Sequence, residues 1–301
     1  MRFLLRGVDI ESKEKSITKK SGWPFFTPSV IIISITVFIP MIQALITSFQ
    51  SGPPTNMQFT GLANYQAMLH DATFKSAATN TFLYLIVQVP IMIFLALIIS
   101  TLLNDHRLRF RGLFRTAIFL PCITSLVSYS LLMKTIFAPT GIVNKLLLDV
   151  HLIGARIQWL TDPFWAKVLI IFSITWRWTG YNMIFFLSGL QNISDEIYEA
   201  AEIDGSSKVH TFFHITIPML KPIILFTTIT STIGTLQLFD EVNNITKGGP
   251  GNATTTLSQY IYNLSYKYTP NFGYAAAVSF VIVVAIVILT VIQMRLGRDD
   301  K

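Results

Sequence analysis

A single cysteine, Cys122, in a chain of 301 residues leaves no partner for an intrachain disulfide and no thiolate set for a metal cluster. Charge is also scarce: Asp, Glu, Lys and Arg supply 13% of the residues, against roughly a quarter in a water-soluble domain. A phosphate-cradling loop of the form Gly-X4-Gly-Lys-Ser/Thr is missing. Gly205-Ser206-Ser207-Lys208 lacks the first glycine, and no lysine follows Gly248 to Gly251, so the chain is not expected to bind ATP. Histidine is limited to five residues, all between the apolar stretches. His210 and His214 stand at the i, i+4 spacing of helical metal ligands, but Thr211 occupies the place of a zincin glutamate, and no metal site is expected. A nucleophile–base pair at membrane depth is likewise absent, which argues against an intramembrane enzyme.

Hydrophobic residues, by contrast, make up 51% of the chain. Six stretches approach the roughly 20 apolar residues that a span requires, near 26–49, 79–103, 114–137, 166–190, 219–241 and 275–295. Runs this continuous are helices, because a barrel strand would alternate over about ten residues. The expected fold is an all-α polytopic membrane protein with six transmembrane helices over 26–295. Polar tails at 1–25 and 296–301 flank it. The first tail carries Arg2, Arg6, Lys13, Lys15, Lys19 and Lys20, and the apolar run behind it is too long for a signal peptide, so it reads as a retained first span.

The net charge of +7 would suit nucleic acid, but the basic residues gather at the ends of the apolar runs. With the N-terminus inside, fifteen Lys and Arg side chains fall on the cytoplasmic side and six opposite, which sets both termini in the cytoplasm. Trp23, Tyr84, Trp159, Trp165 and Tyr274 near span ends are expected to form an interfacial belt.

The loop over 192–222 differs from every other segment. Ser194 suits a helix N-cap, with Asp195 and Glu196 at the positive end of the helix dipole. Ile197, Ala200 and Ala201 form a short apolar stripe, and Gly205 can take the positive φ that ends a helix. A second helix is expected over Ser206 to His214, with Pro218 and Pro222 at the entry to span five. Small alanines inside an acidic rim suit docking into a groove of a soluble partner. An ordinary helical loop is the alternative.

Glu199-Ala200-Ala201, Asp204-Gly205, then Ile215 and Ile217-Pro218 at matching intervals resemble the EAA loop of ABC importer permeases. Phe59 to Tyr65, Arg111 to Arg115 with Leu120-Pro121, Trp178 to Asn182 and Thr246 to Pro250 extend the likeness to the maltose- and glycerol-phosphate-type sugar permeases. The resemblance implies a coupling helix seated in an ATP-hydrolysing subunit, with Glu199, Ala200, Ala201, Asp204, Gly205, Ile215 and Pro218 at the contact. It also implies a second permease subunit, two ATPase subunits that use ATP and magnesium, an extracytoplasmic binding protein, and a place in the bacterial cytoplasmic membrane. In the mechanism it suggests, the binding protein docks on outer loops that include Gly248, Gly249 and Pro250.

Arg177 falls within span four, where a charge costs about 2.5–3.5 kcal/mol on insertion scales. One reading is a translocation pathway lined by Tyr129, Arg177, Gln237, Asp240 and Glu241, with rings from Trp178 and Tyr181 to stack on a pyranose. The other is a structural ion pair between Arg177 and Asp240 or Glu241. The expected cargo is a sugar or oligosaccharide. A non-sugar solute and an ion-coupled secondary transporter are the rivals, and the latter would need repeats or midplane acids that the sequence does not display.

Overall fold

The computed structural model describes residues 23, 24, 26–105 and 107–297. The expected tails at 1–25 and 296–301 therefore lie outside the described residues, apart from Trp23, Pro24, Leu296 and Gly297.

Helices dominate. Helix α1 spans Phe26–Ser48, with π-type hydrogen bonding over Ser34–Phe38. A two-residue antiparallel ladder, β1 (Gln50–Ser51) with β2 (Gln58–Phe59), leads to α2 (Ala63–Met68). Next comes α3, Ala72–Asn104, whose 33 residues extend about 50 Å at 1.5 Å each, well beyond an apolar bilayer core of about 30 Å. Asp71 caps it, accepting hydrogen bonds from the amides of Thr73 and Phe74. Then follow α4 (Arg111–Ile123), α5 (Leu126–Ile136) and α6 (Ile142–Asp149). Helix α7, Pro163–Leu190, starts on an Asp162 cap with proline in its first turn, where the missing amide costs nothing. The remaining helices are α8 (Asp195–Ile203), α9 (Lys208–Met219), α10 (Lys221–Leu236), α11 (Asp240–Ile245), α12 (Leu257–Tyr262) and α13 (Phe272–Gly297).

Among the described residues, α1, α3 and α13 are long and apolar enough to cross a membrane, and the bent pairs α4–α5 and α9–α10 raise the number to five. Helix α7 is long enough at 28 residues, but Arg177, Asn182 and its hydroxyl side chains dilute its apolarity. The expected third span is not one rod: α4 and α5 meet at 102°. Pro121 withholds a backbone donor near the end of α4, and Thr124 and Ser125 turn to extended ψ values of 145° and 135°. The expected fifth span is also shorter than 219–241. It begins after a 72° bend at Leu220 and stops at Leu236, so Asp240 and Glu241 open a separate helix.

Three apolar clusters hold the bundle. Tyr84, Tyr129, Phe137, Trp159 and Leu169 form one, and Met68, Ala77, Leu236, Tyr260 and Tyr274 form another. Leu97, Leu103, Phe186, Leu190 and Leu220 close the opposite end, where Ile197, Tyr198 and Phe212 pack against them. The belt expectation fails for Tyr84, Trp159 and Tyr274, which are buried in protein. Trp159 points inward because its indole N–H donates to the Asn144 side chain. At the crossing of α7 and α4, a β-carbon on Gly180 would overlap the Ile118 carbonyl oxygen, so only glycine allows so close an approach.

Candidate functional site: an interior cavity and an exposed hairpin

A cavity of about 370 Å³ opens between α7, α10 and α11. Trp178 and Tyr181 from α7, Gln237 after α10, and Asp240 and Glu241 from α11 line it, which gathers five of the seven expected pathway residues. Gln88, Asn182, Ser231 and Thr235 add a polar seam. Thr235 donates to Oε1 of Gln88 at 3.1 Å, Ser231 donates to Oδ1 of Asn182 at 3.5 Å, and both amides reach the Met92 sulfur. Sequence reasoning missed this seam, because one polar residue inside an apolar run stays below any hydropathy signal. The i, i+4 spacing of Thr227, Ser231 and Thr235 was the available clue.

Tyr129 and Arg177 stand apart from the cavity lining. Arg177 is 7% exposed, and its Nη2 donates to the carbonyl oxygens of Cys122 and Thr124, at 3.4 and 3.3 Å. Its guanidinium lies 5.0 Å from the centroid of the buried Tyr129 ring, which stacks in turn on Trp176. Glu241 takes the indole N–H of Trp178 at 3.2 Å instead of a guanidinium bond. Arg177 thus serves the break between α4 and α5, because the end of a helix leaves carbonyls in need of donors.

The segment 195–219 folds as a hairpin. The Ser194 side chain caps α8 by accepting from the Glu196 amide, Gly205 adopts φ +75°, and Ser207 caps α9 by accepting from the His210 amide. Tyr198 and Thr216 hydroxyls meet across the arms at 3.4 Å. The expected docking stripe divides. Ala201 is buried at 7% against the chain itself, while Glu199, Ala200 and Asp204 are exposed and Ile203 and Val209 stand out at 86% and 68%. Ile215 is half-buried, and Pro218 lies exposed in α9, which continues past His214 to Met219. His210 and His214 stack with ring centroids 4.0 Å apart, and among the described residues no group of three or more His, Cys, Asp or Glu side chains could hold a metal.

At the far end, Gly248 is buried, and Gly249 and Pro250 are half-buried. Thr255 donates to the Gly248 carbonyl at 3.1 Å and Thr254 to that of Gly249 at 2.8 Å. Asn80 of α3 donates to the Thr255 carbonyl at 3.0 Å, so this turn is bound into the bundle and presents Lys247 outward.

Residues 107–299 match the family described as the binding-protein-dependent transport system inner membrane component. The lactose transport system permease protein LacF of Rhizobium radiobacter is 54% identical over 283 residues, covering 93% of this chain and 95% of LacF. The arabinooligosaccharides transport system permease protein AraP of Bacillus subtilis (strain 168) is 33% identical over 301 residues, covering 95% of each chain. A crystal structure of a bacterial ABC transporter for the acidic polysaccharide alginate matches with a TM-score of 0.78 at 24% identity, over 93% of this chain and 96% of that one. A crystal structure of a bacterial alginate ABC transporter in complex with alginate pentasaccharide-bound periplasmic protein gives 0.79 at 24% identity, over 94% and 96%. Those two chains share the fold.

Proposed function

The chain belongs to the inner membrane components of binding-protein-dependent transport systems, and from that premise we propose that it carries a sugar or oligosaccharide across the bacterial cytoplasmic membrane as one of two permease subunits. Two ATPase subunits hydrolyse ATP with the help of magnesium, an extracytoplasmic binding protein delivers the cargo, and both termini lie in the cytoplasm with six spans between them. The sugar assignment follows from the relatives named for lactose and arabinooligosaccharide transport.

The observation that carries the coupling role is the anchoring of the hairpin. Its outer face exposes Glu199, Ala200, Ile203 and Val209, while Ile197, Tyr198 and Phe212 pack beside Leu190 and Leu220. Leu190 ends α7, and Leu220 precedes α10; these two helices bear Trp178, Tyr181, Ser231 and Thr235 on the cavity wall. A push on the hairpin from an ATPase subunit would therefore tilt the two helices that define the cavity. Packed elements transmit such a displacement because interiors are close-packed and resist compression.

The test is Gly205→Asp in the assembled transporter in proteoliposomes. Gly205 has φ +75°, and the space around its missing side chain is open, so the change strains and charges the turn without overlapping its surroundings. Assembly should persist while lactose uptake falls and becomes uncoupled from ATP hydrolysis. Normal uptake would overturn the coupling role, and lactose uptake that does not depend on this chain would overturn the sugar assignment.

A further inference from the structure

The charge of the cavity is one-sided. Of its sixteen lining residues only Asp240 and Glu241 are acidic, and no Lys, Arg or His joins them. Glu241 is fixed in the wall, 4% exposed and bonded to the Trp178 indole, while Asp240 is exposed at the start of α11. Arg177, 6.0 Å from the Trp178 ring centroid, lies outside the lining and directs Nη2 at the Cys122 and Thr124 carbonyls. The other polar groups of the lining are amides, hydroxyls and the rings of Trp178 and Tyr181. Neutral sugar hydroxyls suit that set, because each can donate to a carboxylate or an amide oxygen and accept from an amide N–H. A uronate or a sulfonated sugar would bring a further negative charge beside two carboxyl groups, with no cation in the wall to receive it.

We propose that Asp240 and Glu241 act as an electrostatic filter that admits neutral saccharides to the cavity and rejects anionic ones. The filter rests on the reading of this cavity as the sugar pathway. Like charges brought together in a confined site are disfavoured, and such mismatch is an effective way to exclude a wrong ligand. Removing the repulsion should change selectivity more than it changes affinity for the neutral sugar.

The experiment titrates the assembled transporter, without its binding protein, in lipid nanodiscs and follows tryptophan fluorescence. The two probes are lactose and the same disaccharide oxidised to a carboxylate at C6 of its non-reducing ring. Unmodified protein should bind lactose about tenfold more tightly or better, with the gap narrowing as salt is raised. The Asp240→Asn, Glu241→Gln double variant should close most of that gap by gaining affinity for the acid. Asp240→Asn alone, at an exposed position, should close part of it without threatening the fold. Equal binding of the two probes by the unmodified protein would overturn the filter and leave the cavity reading intact. So would a preference for lactose unchanged in both variants. Failure of both probes to bind, with lactose uptake preserved, would overturn the cavity reading and the filter with it.

Discussion

The guanidinium of Arg177 in the middle of α7 donates to the backbone carbonyl of Thr124, at 3.3 Å, where the helical path between α4 and α5 is broken. A second bond to Cys122 lets one side chain serve two carbonyls at the end of α4. That end carries the negative pole of the helix dipole, which favours a cation there. Replacing Arg177 with methionine would leave those carbonyls without their donor inside the bundle, at a cost of about 1–3 kcal/mol. The expected result is a lower melting temperature of the purified transporter together with reduced uptake. Arg177→Lys keeps the charge but on a shorter side chain without the planar guanidinium, and should recover only part of both. A methionine variant that melts normally yet fails to transport would instead place Arg177 in the pathway.

Gly180 makes the same junction possible from the other side. The place a β-carbon would take overlaps the Ile118 carbonyl oxygen, so Gly180→Ala must push α4 away from α7. Overpacking of this kind costs about 1–3 kcal/mol. Since α4 begins the broken span, the variant should lower the yield of assembled complex and its thermal stability. Gly234→Ala, in open space on α10, should do neither. Size-exclusion recovery and melting of the two variants side by side provide the check.

These two residues also show where the sequence stopped being readable. Hydropathy located α3, α7 and α13 to within several residues, because lipid demands long uninterrupted apolar helices. It could not show the bend at Thr124 and Ser125, since both flanking halves are apolar and a window average passes over the break. The bend depends on contacts with Arg177 and Gly180, more than fifty positions away. Trp178, Tyr181, Gln237, Asp240 and Glu241 were legible as a polar, aromatic set in apolar surroundings. Tyr129 shared that signature, yet it lies beneath Arg177, because residue type does not say which face of a helix turns inward. Gln88 was invisible for the converse reason: it is a single amide in an apolar run.

Asp71 joins three helices at the opposite end from the hairpin. Its Oδ1 caps α3, while its Oδ2 accepts the hydroxyls of Tyr260 and Tyr274, at 2.5 and 2.7 Å. Burial pushes its carboxyl up, but the two hydroxyls and the amides of Phe74 and Thr73 outweigh that and hold it below its ordinary value of 3.8. A lowered folded value means that this stabilisation is complete above the ordinary carboxylate range and is lost as pH falls through the lowered one. Asp71→Ala should therefore melt earlier than the unmodified protein at neutral pH, by at least the roughly 1 kcal/mol of an N-cap. The difference should shrink once the pH drops below 3.8, the ordinary value. Melting curves of both proteins across that range would reveal it, and a difference independent of pH would remove the carboxylate from the explanation.

Ala200 and Ala201 are neighbours in the hairpin with opposite duties. Ala201 is 7% exposed and buried against the chain itself, whereas Ala200 is exposed beside Glu199. Glutamate at 201 would place a charge at that buried position, where an unpaired carboxylate is expelled or neutralised at a cost of several kcal/mol. Ala201→Glu should therefore loosen the hairpin and reduce the amount of assembled transporter. Glutamate at 200 has solvent to point into and should leave the fold untouched. What it should change is the fit to a partner that needs a small side chain there, so that the complex assembles but ATP hydrolysis no longer drives uptake. Cysteine scanning separates the two cases directly: Cys at 200 should crosslink to the ATPase subunit, and Cys at 201 should not. Equal crosslinking from both positions would mean that the hairpin turns over on assembly. Crosslinking from neither would leave the exposed face without the engine it is proposed to receive.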